Sequence, residues 1–341
     1  MIRIDDVRKA ALSALPDTVY QPYGDSPTVR AYTDWSLFEG TFSRGGVSPG
    51  TVKGARPAAA VPSFSFDPGS NRALAHHFSK LPSFLLWDGS GYVLSGSSQA
   101  HTTQHFFFCV EKGSEVLLED LADTSSKSLT ADVFVRPGAS LRLQHIVRGS
   151  HPQYTNLRVH LGAGASLSVN LAVIGSNAHV RYEVFLNGPS ASFELSGASI
   201  TGRSDVITDA FVRSESNTAS VRYLLLSSPG DFLVHRGVLR VEHQSSRALV
   251  DMDSAFLTAG GFVAAVPQLE VLTDDVRGAS HRARDIGLDD ERVFYLLSRG
   301  LGVEEAVEMY LKDVVGDLLG ELAGEETVVS ALRSFSGSYP R

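Results

Sequence analysis

The sequence predicts a mainly β chain: a right-handed parallel β-helix core, a small mixed N-terminal region and a C-terminal helical domain. Three observations predict it. Between about Ser83 and Pro267, short alternating apolar segments follow one another with turn residues between them and almost no helical periodicity. Within that block a Gly-led pattern recurs at Gly113, Gly138, Gly164 and Gly188, spaced 25, 26 and 24 residues by subtraction. Over residues 289–333 the pattern changes to apolar residues at i, i+3 and i+4.

The core is expected over residues 83–272. Its segments include Ser83–Trp87, His105–Val110, Leu141–Val147, Leu157–Leu161, Leu167–Ile174, His179–Leu186, Val221–Leu226 and Phe232–Val241. A period in the twenties with strand content marks stacked coils. One coil cannot bury its own apolar face, but a stack shares an interior filled by alternate side chains such as Leu141, Leu143, Leu167 and Val169. Weaker echoes follow at Asn217 and Ser245. A β-sandwich also uses many short strands. The drifting period favours the solenoid.

Residues 1–82 read as the mixed region. Asp5–Leu15 carries Val7, Ala10, Ala11, Leu12 and Leu15 at helical spacing, with Pro16 beyond. Tyr32, Trp35 and Phe38, within Val29–Glu39, are expected to pack on the core. Residues 44–70 read as a loop or linker, rich in Gly, Pro, Ala and Ser. His76 and His77 fall in a short helix, where neighbours point to different sides and make a poor metal pair.

Residues 273–341 read as the helical domain. A helix is expected over Asp290–Arg299, opened by Asp289 and Asp290 and closed at Gly300. A second starts near Val303 with Glu304 and Glu305 in its first turn. A third covers Glu326–Phe335, and Ser336–Arg341 is a loose tail. The second helix carries an apolar stripe from Val303 to Leu322, which suits packing on the core, docking of a partner, or both. The final strand through Leu269–Leu272 would leave an open edge at the end of the stack.

Composition narrows the function. The 341 residues are 43% hydrophobic and carry a formal net charge of −8, which argues against a general nucleic-acid surface. The single cysteine, Cys109, rules out a disulfide framework within the chain and is expected as a small buried hydrophobe. The N-terminus lacks a secretory h-region, and no apolar run approaches the ~20 residues of a membrane helix, so a soluble, cytoplasmic chain is expected. There is no phosphate-binding loop and no His-Glu-x-x-His motif. The 11 histidines, including His101, His105, His145, His151 and His160, read as scattered. Asp251 and Asp253 share a strand face, as a carboxylate pair in a carbohydrate-active β-helix enzyme would; Asp274 and Asp275 form another acidic pair.

One stretch carries a family resemblance. Pro267–Leu301 holds an acidic run, Ser280-His281, Leu288-Asp289 and Phe294–Gly300. It resembles the C-terminal signature of the SufB/SufD family, scaffold subunits of the Suf iron–sulfur cluster assembly system, and is most like the SufD branch. The segment around Tyr32 to Asp34 is loosely similar to one that precedes the core in that family. The resemblance implies a non-catalytic scaffold that dimerises through the β-helix end, with a SufB-type scaffold or a second copy. It implies a SufC-type ATPase docked on the C-terminal helices, so Phe294, Tyr295, Arg299, Tyr310, Leu311 and Val314 are the candidate partner residues. It also implies that His281 lies at the dimer seam as the candidate ligand to a transient iron–sulfur cluster; the second ring nitrogen of a ligating imidazole needs an orienting acceptor, such as Asp285 or Asp275. This chain departs from the pattern at Ala279, where many members carry Cys, and at Arg282 after the histidine. Two alternatives stand beside it: a structural dimer of the same descent without cluster chemistry, and a β-helix carbohydrate-active enzyme.

Overall fold

The computed structural model describes residues 2–20, 30, 32–44, 46–47, 51–52, 56–58, 60–61, 72–80, 84–87, 91–96, 102–288 and 290–338. The N-terminal region contains β1 (Ile2–Arg3), α1 (Ile4–Ala14), α2 (Ser36–Arg44), four short strands and α3 (Arg72–Lys80). The short strands are β2 (Gly46–Val47), β3 (Thr51–Val52), β4 (Arg56–Ala58) and β5 (Ala60–Val61). Most of the expected linker at 44–70 lies outside the described residues, as does His101.

The core is a parallel β-solenoid of about seven turns, as the repeat predicts. Its strands are β6 (Phe84–Trp87), β7 (Gly91–Gly96), β8 (Thr102–Val110), β9 (Ser114–Leu121), β10 (Lys127–Val135), β11 (Ser140–Arg148) and β12 (Pro152–Leu161). They continue as β13 (Ser166–Leu186), β14 (Ser192–Val212), β15 (Thr218–Ser227), β16 (Phe232–Val241), β17 (Ala248–Thr258), β18 (Phe262–Val271) and β19 (Val276–Asp285). Each coil contributes to two parallel ladders. The first runs β7-β9-β11-β13-β14-β15-β17-β19, and the second β6-β8-β10-β12-β13-β14-β16-β18. β13 and β14 serve both ladders because each turns the corner without leaving the sheet, at Gly175 (φ 51°) and at Thr201 and Gly202 (φ 56° and 90°).

The repeat has a physical origin at the opposite corner. The backbone N–H of Gly138 donates to Ala163, that of Gly164 to Pro189, of Ser190 to Glu215, of Ser216 to Ser246 and of Arg247 to Asp275. All five residues are left-handed, with φ between 54° and 71°. Corner therefore stacks on corner, each bonded to the next coil. Gly188 is not the corner itself, as its spacing suggested. It lies two residues earlier, where an added Cβ would sit 2.1 Å from the Ala163 nitrogen of the coil below. Only glycine permits that approach.

Inside the stack, Leu141, Leu143, Leu167 and Val169 are all at most 5% exposed, as the alternation predicts. Burying each such side chain stabilises by about 1.5–3 kcal/mol. Cys109 departs from expectation. Phe108 and Val110 face inward, so the pleat turns Cys109 to the outer face, where it is half-buried and its Sγ lies 3.6 Å from Glu111.

The ladder continues past Leu272. β19, which follows the expected boundary, pairs parallel with β17. The helices begin after it: α4 (Asp290–Ser298), α5 (Val303–Leu319) and α6 (Glu326–Ser338), the last extending through Ser336. α5 and α6 lie on the outer face of the first ladder. Val307, Leu311, Val315, Leu332 and Phe335 pack there against Ile146, Ala172, Ala198, Ile200 and Leu224. Among the described residues, no helix is long and apolar enough to cross a membrane.

Candidate functional site

The candidate site is the open end of the solenoid with the helices beside it. β18 pairs only with β16, and β19 only with β17, so this coil has no strand beyond it among the described residues. Val263, Ala265, Leu269 and Val276 are partly buried against the core rather than sealed within it.

His281 lies on β19. Its register partner is the buried, inward-facing Met252, so His281 continues the interior column Val221–Met252 to the mouth of the stack. The side chain is exposed. Its Nδ1–H donates to the Pro267 carbonyl of β18 at 3.0 Å. That bond orients the ring, as a bond to one nitrogen does for an imidazole that ligates through the other. The orienting group is thus a backbone carbonyl and not Asp275 or Asp285. Ala279, two residues before, faces the same way, with Val250 as its partner.

The other parity of β19 carries charge. Arg284 binds Asp253 through two nitrogens at 3.1 and 2.9 Å, Arg282 reaches the same carboxylate at 3.2 Å, and Ser280 donates to Asp251. Asp251 and Asp253 share a face as expected, but their oxygens are engaged by these partners. Among the described residues, no three His, Cys, Asp or Glu side chains come together closely enough to hold a metal ion. His145, His151 and His160 do not meet. His145 bonds Tyr182 at 2.7 Å inside the solenoid, and His160 is stacked outside it between Phe134 and Phe185.

The candidate partner residues divide by position. Phe294 and Tyr295 of α4 are 71% and 55% exposed, and the Arg299 guanidinium lies 5.0 Å from the Tyr295 ring centre. Tyr310 and Val314 of α5 are half-buried. Leu311 is fully buried beneath α5 and belongs to the packing on the solenoid. One face of α5 thus packs inward while the other borders a groove of about 540 Å³ shared with α4. Tyr295, Leu296, Met309 and Tyr310 line that groove, and an Arg292–Asp313 ion pair at 3.3 Å crosses it.

A polar network on the outer face of the second ladder went unread in the sequence. Asp205 accepts two bonds from Arg236, at 3.0 and 2.8 Å, and one from Thr33 Oγ1 at 2.7 Å. Since Thr33 spends its proton there, His179 Nδ1–H donates to Thr33, at 2.8 Å. Burial works against the charge on Asp205, but the neighbouring His179 and the Arg236 guanidinium outweigh it and hold the carboxyl well below its ordinary range. Burial likewise lowers His179, with Asp205 opposing. Trp35 packs over His179 at 4.8 Å, and Phe38 and Phe42 join Tyr154, so the aromatic segment seats on the core as expected. A second network lies within the solenoid, where Asp120 takes Lys127 and Thr155. Aspartates, arginines and histidines in alternating strands look like a solvated face, and only the coil geometry shows them covered.

The family description "SUF system FeS cluster assembly, SufBD core domain" matches residues 92–314. An iron–sulfur cluster assembly SufBD family protein of Mycobacterium leprae is 35% identical over 95 residues, covering 28% of this chain and 23% of the relative. One from Mycobacterium tuberculosis is 24% identical over 209 residues, covering 59% of this chain and 25% of the relative. The chain thus spans about a quarter of the length of the curated relatives it matches. The match at residues 92–314 covers well over half of the chain and takes in the solenoid, its open end and most of α5; the chain belongs to the SufBD core-domain family of the SUF iron–sulfur cluster assembly system.

Proposed function

We propose that this chain is a SufD-like scaffold subunit in iron–sulfur cluster assembly and not itself a catalyst. It would pair through its open coil with a SufB-type scaffold or a second copy, and seat a SufC-type ATPase on α4 and α5. The observation that carries this reading is the edge of β18 and β19, unpaired among the described residues, with His281 at its mouth. Unpaired strand edges are templates for another chain. His281 offers one ligand and Ala279 none, so a cluster held as cargo here takes its other ligands from the partner. The exposed Phe294 and Tyr295 beside the α4–α5 groove suit a helix-docking partner. This reading places the protein in the cytoplasm.

The test is reconstitution with iron and sulfide of the scaffold pair containing this chain. Iron bound by the wild-type pair and lost on His281→Ala supports the ligand role. Equal iron in both supports the second reading, a structural subunit of the same family without cluster chemistry, which Ala279 favours. Capture of the ATPase by wild type but not by a Phe294→Ala/Tyr295→Ala variant supports the docking face, and equal capture removes it.

A further inference from the structure

We propose that the groove between α4 and α5 receives a basic amphipathic helix: a partner helix with an apolar anchor on one face and lysines or arginines flanking it. The proposal rests on the reading of α4 and α5 as the docking face and adds the chemistry of what docks there. The groove holds about 540 Å³, and its apolar lining comes from Tyr295 and Leu296 of α4 and from Met309 and Tyr310 of α5. Met309 is 52% exposed, an unusual cost for a long apolar side chain unless something covers it. Its flexible thioether adapts to whichever apolar anchor enters. Both walls are helices, whose backbone N–H and C=O groups are bonded within each helix along the groove. They offer no edge to an extended strand, so the occupant must bring a backbone that is satisfied already, which is a helix.

The rim of the groove is acidic. Residues 290–319 carry seven acidic side chains against Arg292, Arg299 and Lys312, a net charge of −4 and half of the −8 of the whole chain. The three cations are engaged. Arg292 pairs with Asp313 at 3.3 Å, Lys312 with Glu308 at 2.6 Å, and Arg299 rests on the Tyr295 ring. Glu291, which lines the groove, and Asp317 are exposed and form no ion pair among the described residues. Glu305, Met309, Asp313 and Asp317 recur at every fourth position of α5, so acid brackets the apolar centre along about 18 Å of helix. Glu305 also accepts from the Gly302 N–H at 3.0 Å, which orients its carboxylate and leaves its charge. An acidic partner would meet like charge on each of these turns, and a basic one meets its complement.

The test is titration of the full chain with the SufC-type ATPase at low and at high salt, about 50 and about 500 mM NaCl. Affinity should fall roughly fivefold or more across that range. The double reversal Glu291→Lys/Asp317→Lys should weaken binding roughly tenfold at low salt and flatten the salt response. Met309→Ala should weaken it roughly fivefold at both salts. All three positions are exposed, so an unchanged melting temperature shows that the fold is kept. Binding that neither salt nor the double reversal alters overturns the proposal and leaves docking itself standing. No binding of the wild type at either salt overturns both. Self-association of the chain that Met309→Ala abolishes assigns the groove to a second copy and overturns the proposal.

Discussion

The two outer faces of the solenoid are covered in different ways. On the first ladder, α5 and α6 are held by apolar contacts such as Leu311 and Phe335 against Ala172, Ala198 and Leu224. On the second, residues 32–44 are held partly by rings and partly by the Thr33–His179–Asp205–Arg236 network. An apolar seal depends only on area removed from water. A polar seal depends on every partner keeping its proton state and geometry, because a buried charge left alone is costly. The helical cover is therefore a fixed part of the core, and the N-terminal cover is the one that conditions can loosen.

The largest expected effect is on the polar side. Asp205→Ala removes the carboxylate that Arg236 and Thr33 bond, and should cost about 3–5 kcal/mol. Urea unfolding measures it, and a loss under ~1 kcal/mol would mean the network is solvated. On the apolar side, Leu311→Ala should cost about 3 kcal/mol by leaving a cavity under α5. If that variant instead keeps full stability and loses partner binding, Leu311 faces outward and the packing described above is wrong.

Acid gives the smaller and most selective effect. Burial opposes ionisation of Asp120, but Lys127 and His145 outweigh it and bring its pKa to about 2, while Asp205 is lowered in the same sense. A depressed carboxyl stabilises the fold above its unfolded pKa of roughly 3.9 and stops doing so as pH falls through the folded value. Between about pH 4 and pH 2 the loss from Asp120 should reach about 2 kcal/mol. Hydrogen exchange at pH 3 should show residues 32–44 losing protection before residues 303–335. The reverse order would erase the distinction between the two covers.

The sequence makes some of this legible and hides the rest for physical reasons. The coils were readable because Gly138 and Gly164 sit at true corners, and because Leu141, Leu143, Leu167 and Val169 alternate as a two-sided strand must. The register of the repeat was less so, since Ser190, Ser216 and Arg247 adopt the left-handed turn without glycine. β19 is not legible in the sequence because an end strand has a neighbour on one side only. VRGASHRARD shows none of the apolar alternation that burial imposes. His281 was singled out by its motif, but its inward register and its bond to Pro267 needed the pairing with Met252. Leu311 shares a stripe with Tyr310 and Val314, and helical spacing alone does not say which edge of a stripe turns to the core.

The two ends of the rod are unlike. At the first coil, β7 and β6 are flanked by the short antiparallel strands β3 and β4, whereas among the described residues the last coil leaves two long parallel edges bare. An incoming last coil finds no matching parallel template at the far end of a neighbour. Under the proposed pairing, head-to-tail growth would be blocked and contact between like ends would close after one step. A molecule with one such terminus would then form a pair and stop, its reach capped by geometry rather than by concentration.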